Sequence, residues 1–291
     1  MSRRFSSSSR IFAIAGNTFT DLVRQRVFLF LLIFSLMVIG CSALLAKFSF
    51  QEEFQMLKDV ALGAMSLFLS FFAILASAML LPRDLEDRTI FTILSKPVPR
   101  HEYLMGKLLG VLTMLLLSTL IMGGLFLTVL VLREQSVLLE TRNSVVGSQQ
   151  ELASALAEVR KSAFNWNLIP AMAILFAKAS LIASLTLMIS TFATSGIFAI
   201  LTSVSAYFIG HLQETAREYW LGGVTVHWWS RLFSALLALV FPDLQAFNLS
   251  DDIVAGKGLP LDVFWQTIAL GGVYTILYYL VACFLFQKRE L

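Results

Sequence analysis

The stretch Pro82–Gly110, PRDLEDRTIFTILSKPVPRHEYLMGKLLG, decides how the chain is read, because it is the most charged interval between two long apolar segments. It carries Arg83, Asp84, Glu86, Asp87, Arg88, Lys96, Arg100, Glu102 and Lys107. Such a density of charge cannot lie in hydrocarbon. Leu85, Phe91, Ile93 and Leu94 alternate with the charges in a run compatible with a short helix. Lys96-Pro97-Val98-Pro99 stops it, since each proline lacks an N–H and restricts the residue before it. The next helix is expected to start near Arg100. The product is a short, charged and partly apolar helix held between two membrane spans, a shape suited to docking on a soluble partner. A plain solvated loop is the alternative.

Outward from this stretch the chain is apolar. Its 291 residues are 57% hydrophobic with a mean hydropathy of +0.78, against roughly 45–50% apolar residues in a soluble domain. The class is therefore an all-α polytopic membrane protein. The net charge of +3 is small, and nothing in it suggests nucleic acid. Cys41 and Cys283 both lie inside apolar runs and form no disulfide framework or zinc site.

The basic, Ser-rich start is not read as a signal peptide, because the first long apolar run begins only at Val27 and is too long. Between residues 9 and 26, Ile11, Ile14, Ala15, Thr18, Phe19, Leu22 and Val23 repeat at helical spacing, with polar residues on the other side. This predicts an amphipathic elbow helix lying in the membrane interface. Spans are expected at 27–46, 60–81, 108–132, 166–190, 197–212 and 263–286, each uncharged but for Lys178 and most of them near the ~20 residues that cross ~30 Å of hydrocarbon. Gly106 and Gly110 form a G-x-x-x-G that allows close helix approach. The segments 133–165 and 213–262 fall on the side opposite the 82–107 loop. In the first, Leu152, Leu156, Val159 and Ala163 predict an amphipathic helix against the membrane or a partner. In the second, the apolar run 228–241 is too short to cross and predicts a half-length re-entrant or interfacial helix before the last span. Thr191–Gly196 is the tight turn of a helical hairpin. His227 has no second ligand at metal spacing, so no metal site is expected.

Six spans put both termini on one side. That side carries twelve Lys and Arg against nine in the opposite loops, which places the termini and the 82–107 loop in the cytoplasm. Lys178 is the only charge deep inside a span, 11 residues after Asn167 or about 16 Å along a helix. A cation there costs on the order of 2.5–3.5 kcal/mol and must face a partner helix or a wet cavity. It either lines a translocation path and meets an anionic group of the substrate, or snorkels and bonds to backbone carbonyls as a structural residue.

DLEDRTIFTILSKPVPRHEYLMGK resembles the loop between the second and third spans of ABC-2 type permeases, the membrane subunits of ABC transporters. The matching positions are Glu86, Asp87, Thr89, Leu94, Pro97, Val98, Arg100, Glu102, Gly106 and Lys107, with departures at Arg88, where Gly is common, and Pro99, where Ser is common. NTFTDLVRQRVF resembles the family's elbow, and FPDLQAFNLSDD the segment before its last span. The resemblance implies a single transmembrane domain over 1–291, in the inner membrane, acting as the permease of an ATP-driven exporter. It implies coupling to a separate ABC ATPase through Asp84, Glu86, Asp87, Arg88, Thr89, Phe91, Leu94 and Arg100, and pairing with a second permease copy or a related chain. The chain itself is then no enzyme and binds no cofactor; ATP and Mg belong to the partner. No phosphate-binding loop, G-x-x-x-x-G-K-[ST], is present. The competing classes are a membrane-embedded lipid-modifying enzyme, which needs a His/Asp or paired-carboxylate constellation, and an ion-coupled secondary transporter, which needs internal repeats and several intramembrane charges. Neither pattern is seen.

Overall fold

The computed structural model describes residues 7–46, 53–86, 98–144, 149–164, 167–221, 228–229, 241–248 and 260–288. They form helices α1 (Ser7–Val23), α2 (Arg26–Ala46), α3 (Glu53–Glu86), α4 (Arg100–Ser144), α5 (Gln149–Ala163), α6 (Leu168–Phe192), α7 (Gly196–Leu221) and α8 (Leu261–Lys288), with one 3-10 turn at Gln245–Phe247. Six of the helical stretches are long and apolar enough to cross a bilayer. The chain is a multi-pass, all-α membrane protein.

α3 and α6 form the centre. α6 packs against α3, α8, α4 and α7 and is buried along most of its length, with Ala179, Ser180, Ala183, Ser184 and Ser190 among its buried residues. In lipid the apolar effect does not favour one helix face over another, so small side chains that let backbones approach do the work of association. α2 closes on α3 through aromatic rings: Phe28 and Phe72 lie 4.8 Å apart, and Phe68 stacks on Phe72 at 5.9 Å.

α3 runs past Pro82 for one further turn to Glu86, where a loop was expected to begin. A proline inside a helix removes the N–H that would bond the carbonyl four residues back. That carbonyl belongs to Ala78, and it accepts a hydrogen bond from the Ser190 hydroxyl of α6 at 3.3 Å. A side chain from the neighbouring helix thus supplies what the proline withholds, and Asp84 stays on a helix.

α4 is 45 residues long, about 67 Å at 1.5 Å per residue, more than twice the ~30 Å hydrocarbon thickness. Its far end projects beyond the bundle and pairs with α5. The apolar stripe of α5 is spent there: Ala163 is buried, and Val159 packs against the core. Lys58 of α3 donates to the Ser162 carbonyl at 2.7 Å and fixes the end of α5. The partner of this predicted amphipathic helix is its own chain.

Before α8, the segment 241–248 is held in the bundle. The Leu244 amide donates to the Gly210 carbonyl of α7 at 3.1 Å, and a Cβ on Gly210 would come 2.9 Å from Leu244 Cγ and 3.0 Å from the Pro242 carbonyl. Phe247 reaches Gly271, where a Cβ would lie 3.2 Å from its ring. Gly271 is ten residues into α8, about 15 Å below that helix's start. Of the half-length helix expected over 228–241, only Trp228, Trp229 and Phe241 fall within the described residues.

The apolar stripe of α1 is covered by α4. Ala15, Thr18 and Leu22 are buried there. Gly106 and Gly110 are the seats: a Cβ on Gly106 would stand 2.7 Å from Ile14 Cβ, and one on Gly110 would stand 2.6 Å from Thr18 Cβ and 2.9 Å from the Ala15 carbonyl. The matching steps, 14 to 106 and 18 to 110, show the two helices running side by side in the same direction. Since the clash at Gly110 includes backbone, side-chain rotation cannot relieve it. Gly110→Ala is expected to lower stability by about 1–3 kcal/mol, read as a lower Tm of the purified chain in detergent. Gly124→Ala, whose Cβ meets nothing within 4 Å, is expected to leave Tm unchanged or slightly raised.

Candidate functional site

The first two turns of α4 gather the charged groups at the end of the bundle from which residues 87–97 emerge. Arg100 reaches α8: its Nη1 donates to the carbonyls of Phe286 at 2.9 Å and Gln287 at 3.0 Å. These are last-turn carbonyls with no partner inside the helix, and a guanidinium also favours the negative end of the helix dipole. Its plane lies over the Phe286 ring, 5.7 Å from the centroid. Tyr279 of α8 donates back to the His101 carbonyl at 3.0 Å.

Glu102 reaches α1. Its two carboxylate oxygens accept from Arg10 at 2.8 and 2.9 Å, a forked pair, and from the Ser7 hydroxyl at 2.6 Å. The hydrogen bond to Glu102 holds the Arg10 guanidinium above even its usual high pKa. Tyr103 and Lys107 reach α3. The Tyr103 phenol donates to Asp84 Oδ2, and Lys107 Nζ lies 2.6 Å from the same oxygen. Tyr103 is fully buried and stacks on Phe286 at 6.1 Å. Within eight residues α4 is thus tied to three other helices, each by a different side chain.

Of the residues expected to meet an ATPase, Asp84 and Arg100 turn inward to these intramolecular partners. Glu86, the last residue of α3, is exposed. Asp87, Arg88, Thr89, Phe91 and Leu94 lie outside the described residues. Sequence reasoning placed Glu102 and Lys107 in a family pattern without giving them a task, and it did not reach Arg10 or Tyr103. The available signal was sign: an acid at 102 beside a basic N-terminal segment, and a base at 107 about one helical turn from a phenol that an acid at 84 can engage.

Lys178 forms a second polar locus inside the bundle. It is 3% exposed, with Nζ 3.3 Å from Ser66 Oγ of α3 and 3.4 Å from His211 Nε2 of α7. Both of these groups are side chains on other spans, not backbone carbonyls. An ammonium has only donors, so the ring nitrogen facing it accepts and Nδ1 carries the proton. Nδ1 finds no hydrogen-bond partner among the described residues, and the His211 ring rests on Tyr207, centroids 4.6 Å apart. His211 was missed because the search was for an acidic counter-ion. Among the described residues no group of three or more His, Cys, Asp and Glu is placed to hold a metal.

Six helical stretches apolar enough to cross a bilayer, a long projecting helix and a charged gathering at one end define a multi-pass helical membrane protein. The family model of the ABC-2 family transporter proteins matches residues 12–291, and the chain belongs to that family. It is a permease of the ABC transporter class. No curated protein matches the chain.

Removing the Tyr103 hydroxyl leaves Asp84 one donor short in a largely buried setting. Tyr103→Phe is expected to cost about 1.5–3 kcal/mol, the range for a hydrogen bond to a charged group, measured as a fall in Tm. Arg100→Gln should instead loosen the end of α8 selectively, seen as faster hydrogen exchange at residues 284–288 with little change in α3.

Proposed function

We propose that this chain is the membrane-spanning half of an ATP-driven exporter of the inner membrane, with both termini and the 82–107 loop in the cytoplasm. A separate ABC ATPase carries ATP and Mg and docks on the loop; a second permease copy or a related chain completes the pathway. Family membership across residues 12–291 carries this reading.

The gathering at the start of α4 supports a specific mechanism. Residues 87–97 join α3 to α4, and those two helices are fused beside the loop by Asp84 with Lys107 and Tyr103. Arg10 with Glu102 adds α1, and Arg100 adds the end of α8. A displacement of the loop cannot be absorbed by bending one helix. It moves four helices as a rigid body, the kind of element through which closure of two ATPase subunits becomes a reorientation of spans. Glu86 and Asp87 offer carboxylates to a basic partner surface, and Phe91 and Leu94 offer apolar side chains to a groove.

Lys178 is assigned the structural role of the two left open by sequence, because its ammonium is buried between α3 and α7 with polar partners on both.

Glu86→Lys combined with Asp87→Lys is expected to release the ATPase or uncouple transport, measured by co-purification and by substrate-stimulated ATP hydrolysis, while stability stays within about 0.5 kcal/mol of the parent, as for surface changes, read as an almost unchanged Tm. Retained ATPase binding and transport would refute the docking assignment. Lys178→Met is expected to assemble and to keep substrate-stimulated ATPase activity; loss of that activity in a stably assembled complex would return Lys178 to the translocation path.

A further inference from the structure

Among the described residues, Ser77 Oγ of α3, Thr186 Oγ1 of α6 and Ser203 Oγ of α7 are buried and find no hydrogen-bond partner. Their residues are exposed by 0%, 0% and 2%. Other buried hydroxyls behave differently, as Ser180 and Ser184 do in donating to carbonyls of α6 itself. The register of the helices brings the three together. Lys178 meets Ser66, Ser190 meets the Ala78 carbonyl, and each contact joins residues 112 apart. α6 therefore runs alongside α3 in constant register, with Thr186 beside Ile74. α7 comes back antiparallel: His211 lies 3.4 Å from Lys178, Tyr207 shares a side-chain hydrogen bond with Ser70, and a Cβ on Gly196 would meet Met79 and Pro82. Eight residues from the Lys178–His211 contact toward the turn, Thr186 and Ser203 are level. Ser77 is three residues beyond Ile74, about 4.5 Å along the axis. Each also lies on the stripe of its helix that faces the other two. Ser66, Ser70 and Ser77 are spaced by four and seven on α3, Lys178, Thr186 and Ser190 by eight and four on α6, and Ser203, Tyr207 and His211 by four on α7. Such spacings keep residues on one face, and the other members of each row make the contacts just named.

We propose that an ordered water molecule is bound between α3, α6 and α7, hydrogen-bonded to the hydroxyls of Ser77, Thr186 and Ser203. Need comes first. A buried hydroxyl without a partner carries its full desolvation cost, and at membrane depth neither bulk water nor acyl chains relieve it. Number comes second. A buried water makes about three hydrogen bonds, and three hydroxyls, each both donor and acceptor, offer that many. The hydroxyls do not bond to one another, so the bridge is a further molecule. Charge comes third and selects a neutral one. The runs 60–81, 168–192 and 197–212 hold no Asp or Glu to balance a cation, and Lys178, about 12 Å away along α6, repels it. For an anion, the Lys178 ammonium is turned away, toward Ser66 and His211. His211 Nδ1 is about two turns farther along α7 and lies outside the site. This site does not rest on the ATPase reading.

The test combines a direct view with the sign of three substitutions. A high-resolution cryo-electron-microscopy map of the full chain in a nanodisc, enlarged by a bound antibody fragment, is expected to show one density within hydrogen-bond distance of all three hydroxyls. A map that resolves these side chains and shows no such density would overturn the proposal. Thr186→Val keeps the shape of the side chain and removes its hydroxyl, leaving the water one partner short. It is expected to lower the Tm of the purified chain by about 2–4 °C, as are Ser77→Ala and Ser203→Ala. The triple variant needs no water and is expected to lose less than the three single losses combined. Were the hydroxyls simply unpaired, each replacement would remove a desolvation cost, so an unchanged or raised Tm in the single variants sinks the idea. The Tm of the parent is expected to be equal in sodium, potassium and choline chloride at one ionic strength. A rise in sodium that the triple variant loses would overturn the water in favour of a bound sodium ion.

Discussion

Charge at the edge of hydrocarbon must be paired, and the start of α4 is where this constraint organises the protein. Arg100, Glu102, Tyr103 and Lys107 stand on successive faces of two turns, so no single neighbour can satisfy them. Between them they take three helices: Arg100 the carbonyls of α8, Glu102 the guanidinium of α1, Tyr103 and Lys107 the carboxylate of α3. A partly buried ion pair of this kind adds little net stability once desolvation is charged against it, and removing one partner is what costs most. The pairs act as specificity devices. They decide which helices meet and in what register at the end where the loop is attached.

Above that level the bundle is held by shape. Gly106 and Gly110 admit α1 at distances where a Cβ would overlap, Gly210 and Gly271 admit the segment before α8, and the Ala and Ser face of α6 admits α3. Buried hydroxyls mostly donate to carbonyls of their own helix one turn back, as Ser118 does to Met114 and Ser180 to Phe176, which hides a polar group at little cost. Ser190 instead donates across to α3, to the carbonyl that Pro82 leaves bare.

The two sets of contacts divide labour. Paired charges tie α1, α3, α4 and α8 together at one end, while close packing around small residues holds the spans.

Sequence alone determined what depends on local chemistry. Uncharged runs marked the spans because lipid tolerates little else; the 11, 14, 15, 18, 22 stripe marked α1; Pro97 and Pro99 marked the break before Arg100; and the pattern from Glu86 to Lys107 pointed to the family whose model then matched residues 12–291. Sequence was silent or misleading wherever a partner came from far along the chain. The second span was bounded at residue 81, yet α3 runs on through Pro82, where Ser190, more than a hundred residues away, supplies the missing donor. Lys178 had no visible counterpart because its partners, Ser66 and His211, are neutral and lie on other spans. Asp84 and Arg100, expected to meet a soluble partner, were also given no partner within the chain by the sequence, and the fold supplies Tyr103 and Lys107 for one and the α8 carbonyls for the other. Local propensity is written in neighbouring residues, whereas hydrogen-bond satisfaction in a bundle is settled between helices, so only the fold could decide which polar groups remain for a partner.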